Sequence, residues 1–288
     1  STDAANPSTF FIVLPVGTLS EGFEVEVIDK DSHGNWTVGT TKDNTIIRSR
    51  ICQMPACTVK IGVQLTSNGI YWATCNLGAT SPTRYGDYYA FGETEPYYTS
   101  LTWNSDGTSA TAVGWKTGKE NGYWWPSYPS NENNHDGPDS GDPNFTEPFT
   151  FVDGNNLKTD NDAAYKHYNV LGCELNEGRW RIPTAYEFSN MVSNTDHEYT
   201  SNYKGTGIAG WIYKGRGTYT GRSIFLPLAG YFDGKDFGSG EGDYTTATRY
   251  SSKIAYRVHY YIDKKWNTWE DDRLHRYYGE TIRPIKCN

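Results

Sequence analysis

Gly178-Arg-Trp-Arg-Ile-Pro-Thr184, running on into Ala-Tyr-Glu-Phe-Ser-Asn-Met-Val-Ser-Asn194, is the stretch from which the rest of the chain can be read. Thr184 stands three residues before Glu187, the spacing of a capping box. In that motif the hydroxyl and the carboxylate each satisfy a backbone N–H left open at a helix start. Phe188, Met191 and Val192 then fall on one face, so Thr184–Asn194 is predicted to be a helix with a single buried side. Just before it, Trp180 is expected in the core. Arg181, and likewise Arg283 near the end of the chain, is expected to tie loop carbonyls or a buried acid rather than to bind an anion, because a charge near a core is tolerated only when paired.

Four more blocks stand in order around this one: Tyr71-Trp-Ala-Thr-Cys-Asn-Leu-Gly-Ala79, Tyr85-Gly-Asp-Tyr-Tyr-Ala-Phe-Gly-Glu-Thr-Glu95, Ser223-Ile-Phe-Leu-Pro-Leu-Ala-Gly-Tyr231 and Thr281-Ile-Arg-Pro-Ile285. Thr159–His167 is a second helix candidate. Ser223–Leu226, Ile254–His259 and Thr281–Ile285 read as strands. Residues 99–160 are long and polar. A structureless loop of that length is unusual in a compact domain, so an ordered region with a few short elements is expected.

Five blocks in one order are far harder to obtain by chance than any single motif. Over roughly residues 62–288 they resemble the repeatedly duplicated surface domain of gut Bacteroidetes and Fibrobacter relatives, a distant branch of the C-type-lectin-like fold. The resemblance implies an α+β domain over residues 59–288, with small antiparallel sheets, two helices and long loops. Its sheet would be closed by Ser223–Leu226, Ile254–His259 and Thr281–Ile285, with the last strand returning beside the first. It also implies a cell-surface binding role without naming the ligand.

Residues 10–58 have a different grammar. Phe10-Phe-Ile-Val-Leu14 is a short apolar run, and Phe23, Val25 and Val27 alternate with Glu24 and Glu26 as in a strand with one wet face. Asp31-Ser-His-Gly-Asn35 is the next turn, leading to Trp36-Thr-Val38, and Asn44–Ile51 is a further strand before Met54-Pro55. The order is similar to the closing strands of a fimbrillin-type pilin domain. Residues 1–58 are therefore expected to be a partial all-β sandwich segment, since so few residues rarely fold alone. Val59–Val63 leads on to Ile70 without a flexible linker, so a rigid junction is expected.

Composition narrows the function. Among 288 residues there are 23 Tyr, 10 Trp and 30 Gly, which favours strands and ordered loops over helices. A net charge of −8 and a pI near 5.3, without a basic cluster, argue against nucleic acid or an anionic membrane as partner. No apolar stretch is long enough to span a bilayer and no signal peptide stands at the start, so a soluble chain, mature or truncated, is expected. Cys52, Cys57, Cys75, Cys173 and Cys287 lack the paired spacing of a zinc site. Cys52 and Cys57 either close a small loop in an oxidising compartment or remain reduced thiols.

Asp87, Glu93 and Glu95 crowd one block, but glycoside hydrolysis needs two carboxyls placed across a bond, which proximity in sequence does not provide. They are read as turn and core-network residues. Sugar-binding C-type lectins ligate calcium through a Glu-Pro-Asn or Gln-Pro-Asp triplet and a later Trp-Asn-Asp. Here Asp142-Pro-Asn144 is similar to the first, while Trp266-Asn-Thr268 lacks the acid of the second. With a ligand missing, no metal is expected, although Asp136, Asp139 and Asp142 offer oxygens for a structural ion. Nor is any other cofactor expected: the formylglycine-generating branch of the fold uses reactive cysteines for which no counterpart pair stands here. No Gly-x-Ser-x-Gly elbow is present either, so no enzymatic activity is expected.

The segment 244–278 breaks the family pattern and gathers nine aromatic residues in 35 positions, interleaved with both charges. Rigid amphipathic rings beside Arg are the composition of a recognition surface. Ligand contacts are accordingly expected from Tyr250, Tyr260, Trp266, Trp269 and Arg273, while alternation makes Ile254, Tyr256 and Val258 the inward set. The function expected is adhesion outside the cell, at the surface or on a fimbrium. The ligand would be a glycan or a protein on a host or neighbouring cell, with other pilin subunits as further partners. An enzyme acting on surface polysaccharide and a ligand-binding domain diversified by a retroelement are the alternatives.

Overall fold

The computed structural model describes residues 13–20, 22–28, 35–40, 43–48, 62–105, 107–124, 127–128, 147–168, 180–261 and 273–287. Four strands come first: β1 (Gly17–Leu19), β2 (Phe23–Ile28), β3 (Asn35–Thr40) and β4 (Asn44–Ile46). After them come β5 (Gly62–Gln64), β6 (Ile70–Ala73), the hairpin β7 (Ser100–Trp103) and β8 (Ala110–Val113), and the short pair β9 (Phe151–Val152) and β10 (Asn156–Leu157). Helices α1 (Ala163–Tyr168) and α2 (Ala185–Ser193) follow. The chain continues through β11 (Asp196–Thr200), β12 (Gly210–Lys214), β13 (Ser223–Pro227), β14 (Tyr231–Asp233), β15 (Asp236–Gly238), β16 (Glu241–Arg249) and β17 (Ile254–Tyr261). It closes with β18 (Arg273–His275), β19 (Gly279–Glu280) and β20 (Ile285–Cys287).

Mostly small antiparallel sheets with two α-helices make this an α+β arrangement. Two sheets have five strands, β2-β3-β5-β6-β20 and β18-β17-β16-β10-β9, and two have three, β11-β12-β13 and β15-β14-β19. The last strand does return to the start of its region, beside β6, with Ile285 opposite Trp72 and Cys287 opposite Ile70. The three strands expected to close one sheet, however, fall in three, as β13, β17 and β20. The sheet also crosses the boundary expected at residue 58, through the pairing of Asn35 with Gly62. Near the start the expectation fails: Val13 is 96% exposed and Leu14 lies in no strand, while β1, not foreseen, pairs with β4. An apolar run needs a partner sheet to bury it, and Val13 has none among the described residues. Phe10 to Ile12, the turn residues Asp31 to Gly34, and Ser49 to Ile51 lie outside the described residues.

Helix α2 forms for the reason its sequence suggests. Thr184 Oγ1 accepts from the backbone N–H of Glu187 at 3.2 Å, and the Glu187 carboxylate accepts from Thr184 N–H at 2.8 Å. Phe188, Met191 and Val192 are buried; the Phe188 ring meets Trp72 edge-on at 4.9 Å and Tyr244 at 6.1 Å. Arg181 grips Glu187 with both terminal nitrogens, at 2.8 and 2.5 Å, and Trp180 is buried. The Glu187 carboxyl is raised by burial, yet its bonds from Arg181 and Thr184 outweigh this and hold it below the usual range.

Asp162 starts α1 and fastens it to α2's approach. One carboxylate oxygen accepts from Tyr165 N–H at 2.8 Å, the N-cap geometry, and the other from Ile182 N–H at 2.9 Å. Burial outweighs those bonds and raises its pKa from 3.8 to about 6. The folded protein therefore holds this proton more tightly than the unfolded chain does. The resulting stabilisation is full below pH 3.8 and is lost as pH rises through about 6. It amounts to roughly 3 kcal/mol. Chemical denaturation at a series of pH values should show that fall, and Asp162→Asn should flatten it.

Two clusters fill the interior. One gathers Tyr85, Tyr88, Phe91, Tyr97, Tyr98, Tyr123 and Phe232; the other gathers Trp72, Phe188, Leu226, Tyr244, Val258, Tyr260 and Ile285. Between the chain's first and last blocks sits Arg283, fully buried, donating to Asn76 Oδ1 (2.8 Å), Ala73 O (2.9 Å) and Phe225 O (2.8 Å). The expected structural role holds, although these partners are neutral oxygens rather than an acid. Of the long region 99–160, the parts described carry β7 to β10 as short elements.

Candidate functional site

Two Gly-containing blocks, Leu77-Gly-Ala79 and Tyr85-Gly-Asp87, are folded against each other. Gly78 and Gly86 have φ of 81° and 83°, and a Cβ on Gly86 would stand 2.2 Å from Leu77 O. Only glycine allows both that backbone conformation and that approach. The pair is pinned by Asp87 N–H to Leu77 O (2.9 Å) and by Asn76 Nδ2 to Tyr85 O (2.9 Å). Asn76 is itself held by Arg283, so the loop is anchored to the closing block.

Above this loop lies a groove of about 750 Å³, walled by Thr99 to Ser105 of the β7–β8 hairpin on one side and by Thr206 and Ile208 on another. A second concavity of about 340 Å³ adjoins it, sharing Gly78, Ala79, Thr80 and Asp87 and reaching Glu95 and His167. Trp103 lines the larger one and is set by edge-on contacts with Tyr85 at 5.3 Å and Phe237 at 5.8 Å. Arg84, at the rim, is exposed.

Asp87 is at the waist between the two concavities. Its Oδ1 accepts from the Tyr98 hydroxyl at 3.3 Å, and a Cβ on Gly78 would lie 2.2 Å from its Oδ2. Burial raises its pKa above the ordinary value, against the lowering pull of Tyr98, His167 and Lys116. Glu95 has the opposite balance: partial burial raises it, but Lys166, His167 and Lys116 together lower it. Lys166 Nζ is 2.7 Å and His167 Nε2 is 3.1 Å from the Glu95 carboxylate. Glu93 pairs with Lys119 at 2.9 Å. Glu93 and Glu95 are thus network residues, as expected, but Glu95 also lines the second concavity and Asp87 lines both.

A different polar cluster is enclosed between β16 and β17. Asp243 Oδ1 accepts from Arg257 Nη1 at 2.6 Å and lies 2.7 Å from His259 Nδ1, with both Asp243 and His259 buried. Glu241 is 3.9 Å from His259 Nε2, and Glu280 is 3.8 Å from Arg257. Glu241, Asp243 and His259 could offer three ligand atoms within 4.8 Å of one another. The guanidinium already seated on Asp243 disfavours a cation there, since like charges at that range repel strongly in a dry interior. The cluster reads as a buried ion network.

The residues expected to touch ligand are dispersed. Tyr250 is 50% exposed and makes a T-shaped contact with Tyr256 at 5.5 Å. Tyr260 must be corrected: it is 2% exposed, packed against Tyr244, Tyr213 and Trp211 at 6.1, 6.2 and 6.4 Å, because β17 is covered there by the β11–β13 sheet. Arg273 opens β18 opposite Tyr256, its side chain outside the described residues. Trp266, Trp269, the 142–144 triplet, Asp136 and Asp139 lie outside them too. Of the inward set, Val258 is buried, but Ile254 and Tyr256 are only half-buried and Ala255 is buried instead. A register shift between Thr245 and Arg249 breaks the alternation. Cys75 is half-buried with its Sγ 3.8 Å from Thr74 Oγ1, and the other cysteine side chains lie outside the described residues.

The groove residues Arg84, Asp87 and Trp103 were not singled out from sequence as ligand contacts. The available signal was the pair of glycines preceding a conformationally fixed acid. Comparison of the chain with protein-family models, curated proteins and solved structures found no match.

Proposed function

We propose that this chain is an extracellular adhesion protein, pilus-associated or at a pilus tip, in which a C-type-lectin-like domain over residues 59–288 binds a glycan or protein on a host or neighbouring cell. Residues 1–58 act as a partial fimbrillin-like segment that mounts the domain and meets other pilin subunits. The observation that carries the binding role is the open, polar groove with an aromatic wall and a fixed carboxylate at its waist. Recognition sites combine a few rigid rings with oriented polar groups in this way. The cell-surface location rests on the resemblance of the five ordered blocks.

A glycan-array and host-protein binding screen tests the reading. Saturable binding to at least one ligand is expected, equal in millimolar calcium and in EDTA because the second calcium triplet lacks its acid. Loss of binding in EDTA would expose a metal requirement, and absence of any ligand from both panels would remove the adhesion reading.

A further inference from the structure

Resting on that binding role, we propose that the groove takes a neutral oligosaccharide laid along both concavities, with Trp103 as its stacking wall and Asp87 as the hydroxyl acceptor between two sugar positions. Four observations carry this. First, the lining is rich in uncharged hydroxyls, among them Thr80, Thr83, Ser100 and Thr206, which both donate and accept as sugar hydroxyls do. Second, Trp103 offers a rigid amphipathic ring whose position is set from two sides by Tyr85 and Phe237. Such rings bind the apolar C–H face of a sugar at low entropic cost.

Third, the Asp87 carboxylate is held by the Tyr98 hydroxyl at one oxygen and seated over Gly78 at the other, so an acceptor stands oriented before ligand arrives. Charge-assisted bonds from hydroxyls to a carboxylate are about twice as strong as neutral ones. Fourth, the two concavities share Gly78, Ala79, Thr80 and Asp87 along one edge, where a ligand of more than one ring would cross from one to the other. A polyanionic chain on that path would meet Arg84 at the rim but would have to pass the Asp87 carboxylate, and beyond it Lys166 and His167 are already engaged by Glu95. A protein anchor would need a larger apolar centre than Leu101 and Ile208 provide.

The experiment is titration calorimetry of the full chain with gluco-, manno-, galacto- and N-acetylglucosamine oligomers of one to six units, and with a hexuronate oligomer for comparison. At least one neutral series should bind, more tightly as the chain lengthens beyond one unit. Trp103→Ala and Asp87→Asn should each weaken it about tenfold or more, the loss seen on truncating an interface anchor. Ser100→Trp, on an exposed strand position that lines the groove, should block it with an unchanged melting temperature, which covers the case in which the first two variants lose stability. Tyr250→Ala should bind normally.

Binding that survives all three groove variants overturns the inference while leaving adhesion standing, and loss in Tyr250→Ala alone would move the site to the 244–278 segment. Preference for the hexuronate, or a protein ligand with no neutral sugar bound, overturns the ligand class. No ligand of any kind in calorimetry or in the broader screen removes the adhesion reading itself.

Discussion

Replacing Arg283 with Met is expected to lower the unfolding free energy by about 3–5 kcal/mol, because three buried neutral acceptors lose their donor together. Arg283 is fully buried, and its guanidinium supplies donors to Asn76 Oδ1, Ala73 O and Phe225 O. Met fills part of the volume but donates nothing. Three acceptors would then stay dry and unpaired, at a cost of about 1–3 kcal/mol each before relaxation. Urea unfolding measures the loss. Arg283→Lys should recover part of it, since an ammonium offers donors without the planar fork. A change below about 1 kcal/mol would mean that water replaces the guanidinium and that the buried assignment is wrong. Because Asn76 also donates to Tyr85 O, ligand binding should weaken in the Met variant even where it remains folded.

Asp243→Ala is expected to be nearly as severe, about 3–5 kcal/mol, since it leaves a guanidinium and an imidazole facing a void. Asp243 is fully buried and receives Arg257 at 2.6 Å and His259 at 2.7 Å through one oxygen. Asp243→Asn keeps the shape and one acceptor oxygen, so it should fall between wild type and Ala. A double substitution, Asp243→Ala with Arg257→Met, should be less unstable than the sum of the two single changes, because it removes the stranded charge together with its partner. Strict additivity would show that the two side chains are not coupled. Thermal melts of the four proteins decide it.

The parts of the fold that sequence made legible are those whose signals are local. The capping box at Thr184 and Glu187, and the apolar face of α2, depend on residues three or four apart, so reading them requires no knowledge of the partner. The Arg181–Glu187 pair spans six residues and belongs to the same local unit. The return of the last strand, which pairs with Ile70–Ala73, was legible only through the fold that the resemblance of the blocks implies.

Aromatic residues were where local reading failed. Tyr250, in the turn after β16, and Tyr260, on β17, belong to one hairpin and look alike in composition, yet one is half exposed and the other is core. What separates them is that Trp211 and Tyr213, from β12, close over Tyr260. Asp87 is the reverse case: with Glu93 and Glu95 it looked like one acidic network. Tyr98 and the bare backbone of Gly78 set it apart at the waist of the groove.

The sequence by itself determined the α+β mixture, the two helices, the strand-rich aromatic core and the structural role of the Arg181 and Arg283 blocks. These follow from periodicity, capping chemistry and the cost of burying a charge without partners. Only the tertiary structure decided which rings face solvent, which acid lines a cavity and where that cavity lies. Each of those depends on elements far apart in the chain, as Leu77, Asp87, Trp103 and Thr206 are, and exposure is set by what packs over a residue rather than by its neighbours in sequence.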